Sequence, residues 1–100
     1  VVTEIKDIKN QIPESIRIYQ NYPNPFNPTT KISWQSSVSG WQTLKVYDVL
    51  GKEVATLVDE FKPAGSYESE FDAINISSGV YFYVLKINTF CDQKKMIVMK

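Results

Sequence analysis

Histidine is absent from the 100 residues, and that one gap removes several chemistries. Without an imidazole the chain holds no Ser-His-Asp or Cys-His nucleophile, no histidine-ligated zinc and no histidine general base. Cysteine occurs once, at Cys91, which leaves no internal disulfide and no multi-cysteine metal site. Charge of one sign is also missing: 11 Lys+Arg stand against 11 Asp+Glu. A broad basic footprint for nucleic acid or an anionic membrane is therefore not available. The 4 glycines are dispersed one per turn, so there is no phosphate-cradling loop, and no alternating Asp/Asn run reads as a calcium loop. No cofactor is expected. The longest apolar stretch falls far short of the ~20 residues of a membrane helix. Val1-Val2-Thr3-Glu4-Ile5 lacks the basic start and apolar run of a signal peptide. That leaves an intracellular protein or a piece of a longer exported chain.

What is present is a core. Hydrophobic residues make up 43% and aromatics 13%, enough for one packed domain, and aromatics at this density suit a pleated, half-buried surface. Residues Val1 to Glu14 are mixed in charge and read as a linker or lead-in from something upstream. Ile5, Ile8 and Ile12 would share a helical face, but the stretch is short for an isolated helix. After a β-like run at Ile16–Gln20 comes Asn21-Tyr22-Pro23-Asn24-Pro25-Phe26-Asn27-Pro28. Its three prolines fix φ and remove backbone donors, so neither ladder nor helix runs through it. Tyr22 and Phe26 are expected to pin this irregular segment to the body.

From Thr29 onward short strands alternate with turns. Thr30–Gln35 puts Ile32 and Trp34 on one side, and Thr43–Val49 sets Leu44 and Val46 against Tyr47 and Val49. Asp48–Lys52 is a tight hairpin whose Gly51 supplies positive φ. Glu53–Asp59 is a further strand, and Lys62–Gly65 turns again. Ser66–Asp72 gives the cleanest alternation, with Tyr67, Ser69 and Phe71 inward. Val80–Ile87 is apolar on both faces at first, which places it mid-sheet. Asn88-Thr89 reverses the chain into a last strand over Phe90–Met99. About seven antiparallel strands without a helix predict an all-β, Ig-like β-sandwich, with a small barrel as the competitor. Tyr81, after Ile76-Ser77-Ser78-Gly79-Val80, is the candidate for a tyrosine corner.

The carboxylates do not assemble a catalytic pair. Glu68, Glu70 and Asp72 fall at period two on one strand face, whereas acid-base work needs two carboxyls flanking a cleft, one with its pKa raised by burial. A solvated stripe provides neither. Trp34 is in phase with Ile32 and belongs to the core; Trp41, beside Gly40 in a turn, is the surface candidate for stacking on a sugar ring. Lys94-Lys95 is too small a cluster for nucleic acid.

The segment Tyr22-Pro23-Asn24-Pro25-Phe26-Asn27-Pro28-Thr29-Thr30-Lys31-Ile32 resembles the opening of the C-terminal sorting domains of the type IX secretion system, found in the Bacteroidota and related bacteria. The resemblance continues through Leu44–Val54 with Gly51, through Ser78-Gly79-Val80-Tyr81-Phe82-Tyr83, and through Lys94-Lys95-Met96-Ile97-Val98-Met99-Lys100. It covers residues 15 to 100, the expected sorting domain. Two stretches depart from the family pattern: the last hairpin has Asn88-Thr89-Phe90 in place of glycine, and the approach to Gly79 is shortened. Ig-like domains of the flagellar hook-capping protein share the Tyr-Asp-x-x-Gly and Gly-Val-Tyr patterns but lack the Pro-Asn-Pro-Phe-Asn-Pro opening.

The resemblance implies a non-catalytic cargo label at the end of an exported passenger, read by the secretion machinery at the outer membrane and removed by a sortase-like peptidase. The passenger would pass through the periplasm to the cell surface or the medium. The alternative reading is an accessory carbohydrate-binding or generic Ig-like interaction module of a secreted hydrolase. Lys94 to Lys100 form an apolar strand closed by lysines. At a sheet edge such a strand discourages uncontrolled pairing yet offers itself to a receptor by strand addition, or to a second copy as an edge-strand dimer. These seven residues are the expected recognition signal.

Overall fold

Alternation at period two decides which side chains go inside. The computed structural model describes residues 13–100, and the lead-in expected over residues 1–14 lies outside that range up to residue 12. Among the described residues there are seven strands: β1 (Arg17–Ile18), β2 (Thr29–Ser36), β3 (Gly40–Tyr47), β4 (Glu53–Lys62), β5 (Gly65–Asp72), β6 (Gly79–Ile87) and β7 (Phe90–Val98). They form a three-stranded sheet in the order β1-β2-β5 and a four-stranded sheet in the order β4-β3-β6-β7. Every pairing within the two sheets is antiparallel. The fold is the all-β, Ig-like sandwich that the strand count predicts.

The inward faces carry Ile32 and Trp34 from β2, Leu44 and Val46 from β3, Phe71 from β5, Tyr81, Tyr83, Leu85 and Ile87 from β6, and Met96 and Val98 from β7, all buried. Burying each large apolar side chain contributes roughly 1.5–3 kcal/mol relative to exposure, which makes this contiguous cluster the main stabilising element. β6 lies between β3 and β7, as its two-faced hydrophobicity requires. The Lys62–Gly65 turn carries the chain from β4 in one sheet to β5 in the other and so makes no hairpin.

Turn chemistry follows the side chains. Gly51 has φ 83°, and its N–H donates to the Asp48 carbonyl at 3.0 Å. The Asp48 carboxylate accepts from the Leu50 and Lys52 N–H groups, both at 2.9 Å. Asn88 stands at φ 54° in the last hairpin. Asparagine tolerates the left-handed region better than other non-glycine residues, so the departure from glycine there keeps the reversal.

Three positions differ from the sequence reading. Trp41 lies within β3, not in a turn, and is 57% exposed. Val49 belongs to the hairpin turn beyond β3 and is exposed. Tyr22 is not an anchor: it is 81% exposed while Phe26 is 2% exposed. The Tyr22 backbone exchanges both hydrogen bonds with Lys31, at 3.0 Å each, so the main chain and not the ring fixes that point.

Candidate functional site

The last strand is an edge strand, the outermost member of its sheet beyond β6. Its pairing with β6 runs from Gly79↔Val98 to Ile87↔Phe90. Period two then sorts the seven expected recognition residues. Met96 and Val98 are buried in the core, Lys94 and Ile97 are half-buried, and Lys95, Met99 and Lys100 are exposed. Lys100 is nonetheless tied down: its N–H donates to Ser78 Oγ at 3.0 Å, and its Nζ donates to the carbonyls of Ile74, at 2.9 Å, and Ile76. The strand is thus both a structural member and a surface.

Its outer edge is already occupied over the second half. The Phe26 N–H donates to the Ile97 carbonyl at 3.1 Å, and the Met99 N–H donates to the Phe26 carbonyl at 3.0 Å, a short parallel bridge. The Ile97 N–H donates to Asn24 Oδ1 at 3.0 Å, and Gln20 Nε2 donates to the Lys95 carbonyl at 2.7 Å. The motif Pro23-Asn24-Pro25-Phe26-Asn27-Pro28 therefore seals the edge of the strand that ends the domain. Only Phe26 of the six is buried; Pro23, Asn24, Pro25, Asn27 and Pro28 are exposed. The Phe26 ring packs edge-on against Phe71, with centroids 6.1 Å apart, and holds the seal to the core.

Two tyrosines fix the surroundings. The Tyr81 hydroxyl donates to the Ser77 carbonyl at 2.8 Å, four residues upstream, which is the tyrosine corner expected of it; Gly79 opens β6 between the two. Tyr83 was not singled out by sequence, yet it is fully buried. Its hydroxyl donates to the Tyr19 carbonyl at 2.8 Å and accepts from the Asn21 N–H at 2.9 Å. Burial pushes its pKa up to about 12, and the bond from the Asn21 backbone only partly opposes this. Asn21 is itself buried; its Nδ2 donates to the Pro23 carbonyl at 3.1 Å and to Thr30 Oγ1 at 3.0 Å. The root of the proline segment is a buried polar knot, the second feature that sequence reading missed.

Elsewhere the surface offers little for chemistry. Glu68, Glu70 and Asp72 are exposed on the outer face of β5, and Glu68 lies 3.5 Å from Lys31 across the sheet. One open concavity on the four-stranded sheet is lined by Thr43, Lys45, Tyr47, Val84 and Lys86. Another on the opposite sheet carries a single carboxylate, Glu68. Lys45 sits 3.2 Å from Glu53 and its pKa is raised, chiefly by that hydrogen bond. The Glu53 carboxyl is held below its usual value, first by the Thr56 hydroxyl and then by Lys45. No helix long and apolar enough to cross a membrane, and no cluster of three or more His, Cys, Asp or Glu residues suited to a metal, occurs among the described residues.

Comparison with known proteins agrees with the motif. No curated protein and no solved structure matches the chain. The model of one family, described as a secretion system C-terminal sorting domain, matches residues 20–99. That span runs from the glutamine that caps Lys95 to the methionine that closes the Phe26 bridge. Domains of this family serve as sorting signals for type IX secretion, interact with that machinery, and direct export to the cell surface or the extracellular space. A chain whose proline motif and final strand are built into one sealed edge, and whose sequence matches that model over four-fifths of its length, belongs to the secretion system C-terminal sorting domain family.

Proposed function

We propose that this domain is a non-catalytic address label that carries an upstream passenger through the type IX machinery, across the periplasm and on to the cell surface. A sortase-like peptidase at the outer membrane would then detach it by cutting within residues 1–14. The family match over residues 20–99 carries this reading. The lack of histidine and the open placement of the β5 carboxylates support a non-catalytic role. Lys94 to Lys100 supply the signal in this reading, through the side chains they leave outside the core. The test is a fluorescent passenger, equipped for export to the periplasm and fused ahead of the 100 residues, in a type IX-competent cell and in one lacking the machinery. Surface or medium fluorescence that depends on the machinery, and is lost when Lys94–Lys100 are deleted, is the expected result. Retention of the intact fusion in the periplasm of the competent cell refutes it.

A second reading has its own observation. Trp41 and Phe61 are direct partners across β3 and β4 and are 57% and 60% exposed. Two adjacent exposed aromatic side chains offer a platform on which a sugar ring can stack. The Trp41 indole N–H donates to Asp59 Oδ1 at 2.7 Å, which steadies the ring. Saturable retardation of the protein in a polysaccharide gel, abolished by Trp41→Ala, would favour an accessory carbohydrate-binding module; mobility independent of the polysaccharide removes that reading.

A further inference from the structure

We infer that the secretion machinery reads this domain through the outer side-chain face at one end of the four-stranded sheet, not by adding a strand to the second half of β7. This rests on the sorting function proposed above and names the surface that performs it. Strand addition needs a free row of backbone groups. Along β7 that row is taken at Lys95, Ile97 and Met99 by Gln20, Asn24 and Phe26. What the strand leaves open there is its outward side chains.

Those side chains do not stand alone. Tyr47 pairs with Phe82, and Phe82 with Lys95; one row further along, Val80 pairs with Ile97. All belong to the outward-facing set of their strands, because the alternate residues Val46, Tyr81, Tyr83, Met96 and Val98 are buried inside. Neighbouring strands lie about 4.8 Å apart, so these residues form one continuous apolar face about 10 Å wide with Lys95 at its rim. The β3–β4 turn at the same end adds Leu50, 90% exposed. An apolar residue that exposed, beside half-buried valine, isoleucine and aromatic side chains, marks a contact surface.

The occupant follows from the position and the charge. The Ser15 carbonyl accepts from Gln35 Nε2 at 3.3 Å, which fixes the approach of the upstream chain beside the Gln35↔Ser66 pair. The apolar face lies toward the other end, where Phe26 meets Val98. The first described residues therefore lie at the opposite end from this face. Lys95 has no salt-bridge partner among the described residues, whereas Glu53, the carboxylate paired with Tyr47, is engaged by Lys45. The complementary surface is a protein of the secretion machinery with an apolar centre and carboxylates placed against Lys95.

The experiment uses the passenger fusion to the full chain, with Leu50→Asp and Lys95→Glu made singly and together. Thermal melts of the same fusions report folding. Leu50 sits in a turn with almost no packing to lose, so Leu50→Asp keeps the test valid if the double variant is unstable. We expect surface delivery to fall about tenfold or more in the double variant, the scale of losing a centrally placed contact, with an unchanged melt for Leu50→Asp. Glu70→Lys, on the opposite sheet, should deliver as the parent does. Parental delivery by Leu50→Asp and by the double variant would overturn the inference, as would an equal loss from Glu70→Lys. A parent fusion that dimerises, and is made monomeric by Leu50→Asp, would also overturn it by making the face a self-interface. Failure of the parent itself to leave the periplasm would sink the sorting function instead, so the two failures are distinguishable.

Discussion

The two edges of the four-stranded sheet solve one problem in different ways. An unpaired strand edge is a template for uncontrolled association. Over the second half of β7 the backbone is covered by the chain's own Gln20 and proline segment, through Gln20, Asn24 and Phe26. At β4 no strand of the described residues lies outside. That edge relies on register shifts at Leu44/Lys45 and Val46/Tyr47 and on exposed polar side chains such as Glu53, Thr56, Asp59 and Glu60. Bulges twist an edge away from a flat partner, and charges penalise the approach of another strand. The covered edge is the costlier solution, because it orders several residues that form no regular ladder. The domain applies it to the strand expected to carry the sorting signal, which keeps that strand in one register with one set of side chains outward.

Breaking the cover should matter most at its anchor. Phe26→Ala removes a ring that is 2% exposed and packed on Phe71, and a large-to-small change of this kind costs about 3–5 kcal/mol. Urea unfolding should show that loss, and a change below ~1 kcal/mol would mean the segment is not held by its ring. Next in size is Tyr83→Phe. It strips the hydroxyl from the buried Asn21 N–H and the partly buried Tyr19 carbonyl, for a loss of about 1–3 kcal/mol.

The same residue gives a pH test. The Tyr83 pKa is raised from 10.0 to about 12, so the folded state keeps its proton where the unfolded state releases it. The stability linked to this group is complete below pH 10 and is lost between pH 10 and about 12. Melting temperatures of the parent should fall across that window, and Tyr83→Phe should flatten the fall. An identical alkaline slope in both proteins would remove Tyr83 from the account. Smaller again is Asn24→Ala, which takes one acceptor from an exposed N–H and should cost about 0.5–1.5 kcal/mol. Its sharper readout is hydrogen exchange: the Ile97 amide should lose protection while the Met99 amide, bonded to the Phe26 carbonyl, keeps most of its own.

Legibility in the sequence tracked the distance between partners. β5 was readable because Tyr67, Ser69 and Phe71 alternate with Ser66, Glu68, Glu70 and Asp72 over seven unbroken residues. Tyr81 was readable because its acceptor is four residues away. The family itself was readable from the compact proline motif, and the matched span bears that out. By contrast, Tyr83 bonds across 62 and 64 residues, and Asn24 reaches across 73. No local period encodes those contacts, so the buried bonds of Asn21 and the long reach of Asn24 were not legible in the segment. Trp41 was misplaced for a local reason: Gly40 beside it suggested a turn, but β3 begins at that glycine. A Cβ at Gly40 would collide with Asn88 Oδ1, so the glycine serves close approach there.

The uncovered edge offers the smallest and most specific test. On β4 the Thr56 hydroxyl donates to Glu53 Oε2 at 3.0 Å, while Lys45 reaches the same carboxylate from β3. If β4 is protected by charge and not by cover, that carboxylate must stay ionised near neutrality with either partner missing. The hydroxyl is the first cause of the lowered Glu53 pKa, and the lysine follows. Thr56→Val keeps the β-branched shape, so carboxyl-carbon NMR should show the Glu53 titration moving upward, as it should in Lys45→Met. The stabilisation linked to Glu53 is present at neutral pH and fades as pH falls through its folded pKa, so both variants should match the parent most closely in acid. An unmoved Glu53 titration in Thr56→Val would show that the lysine alone holds the charge. The edge would then be guarded by a partner on the neighbouring strand rather than by β4 itself.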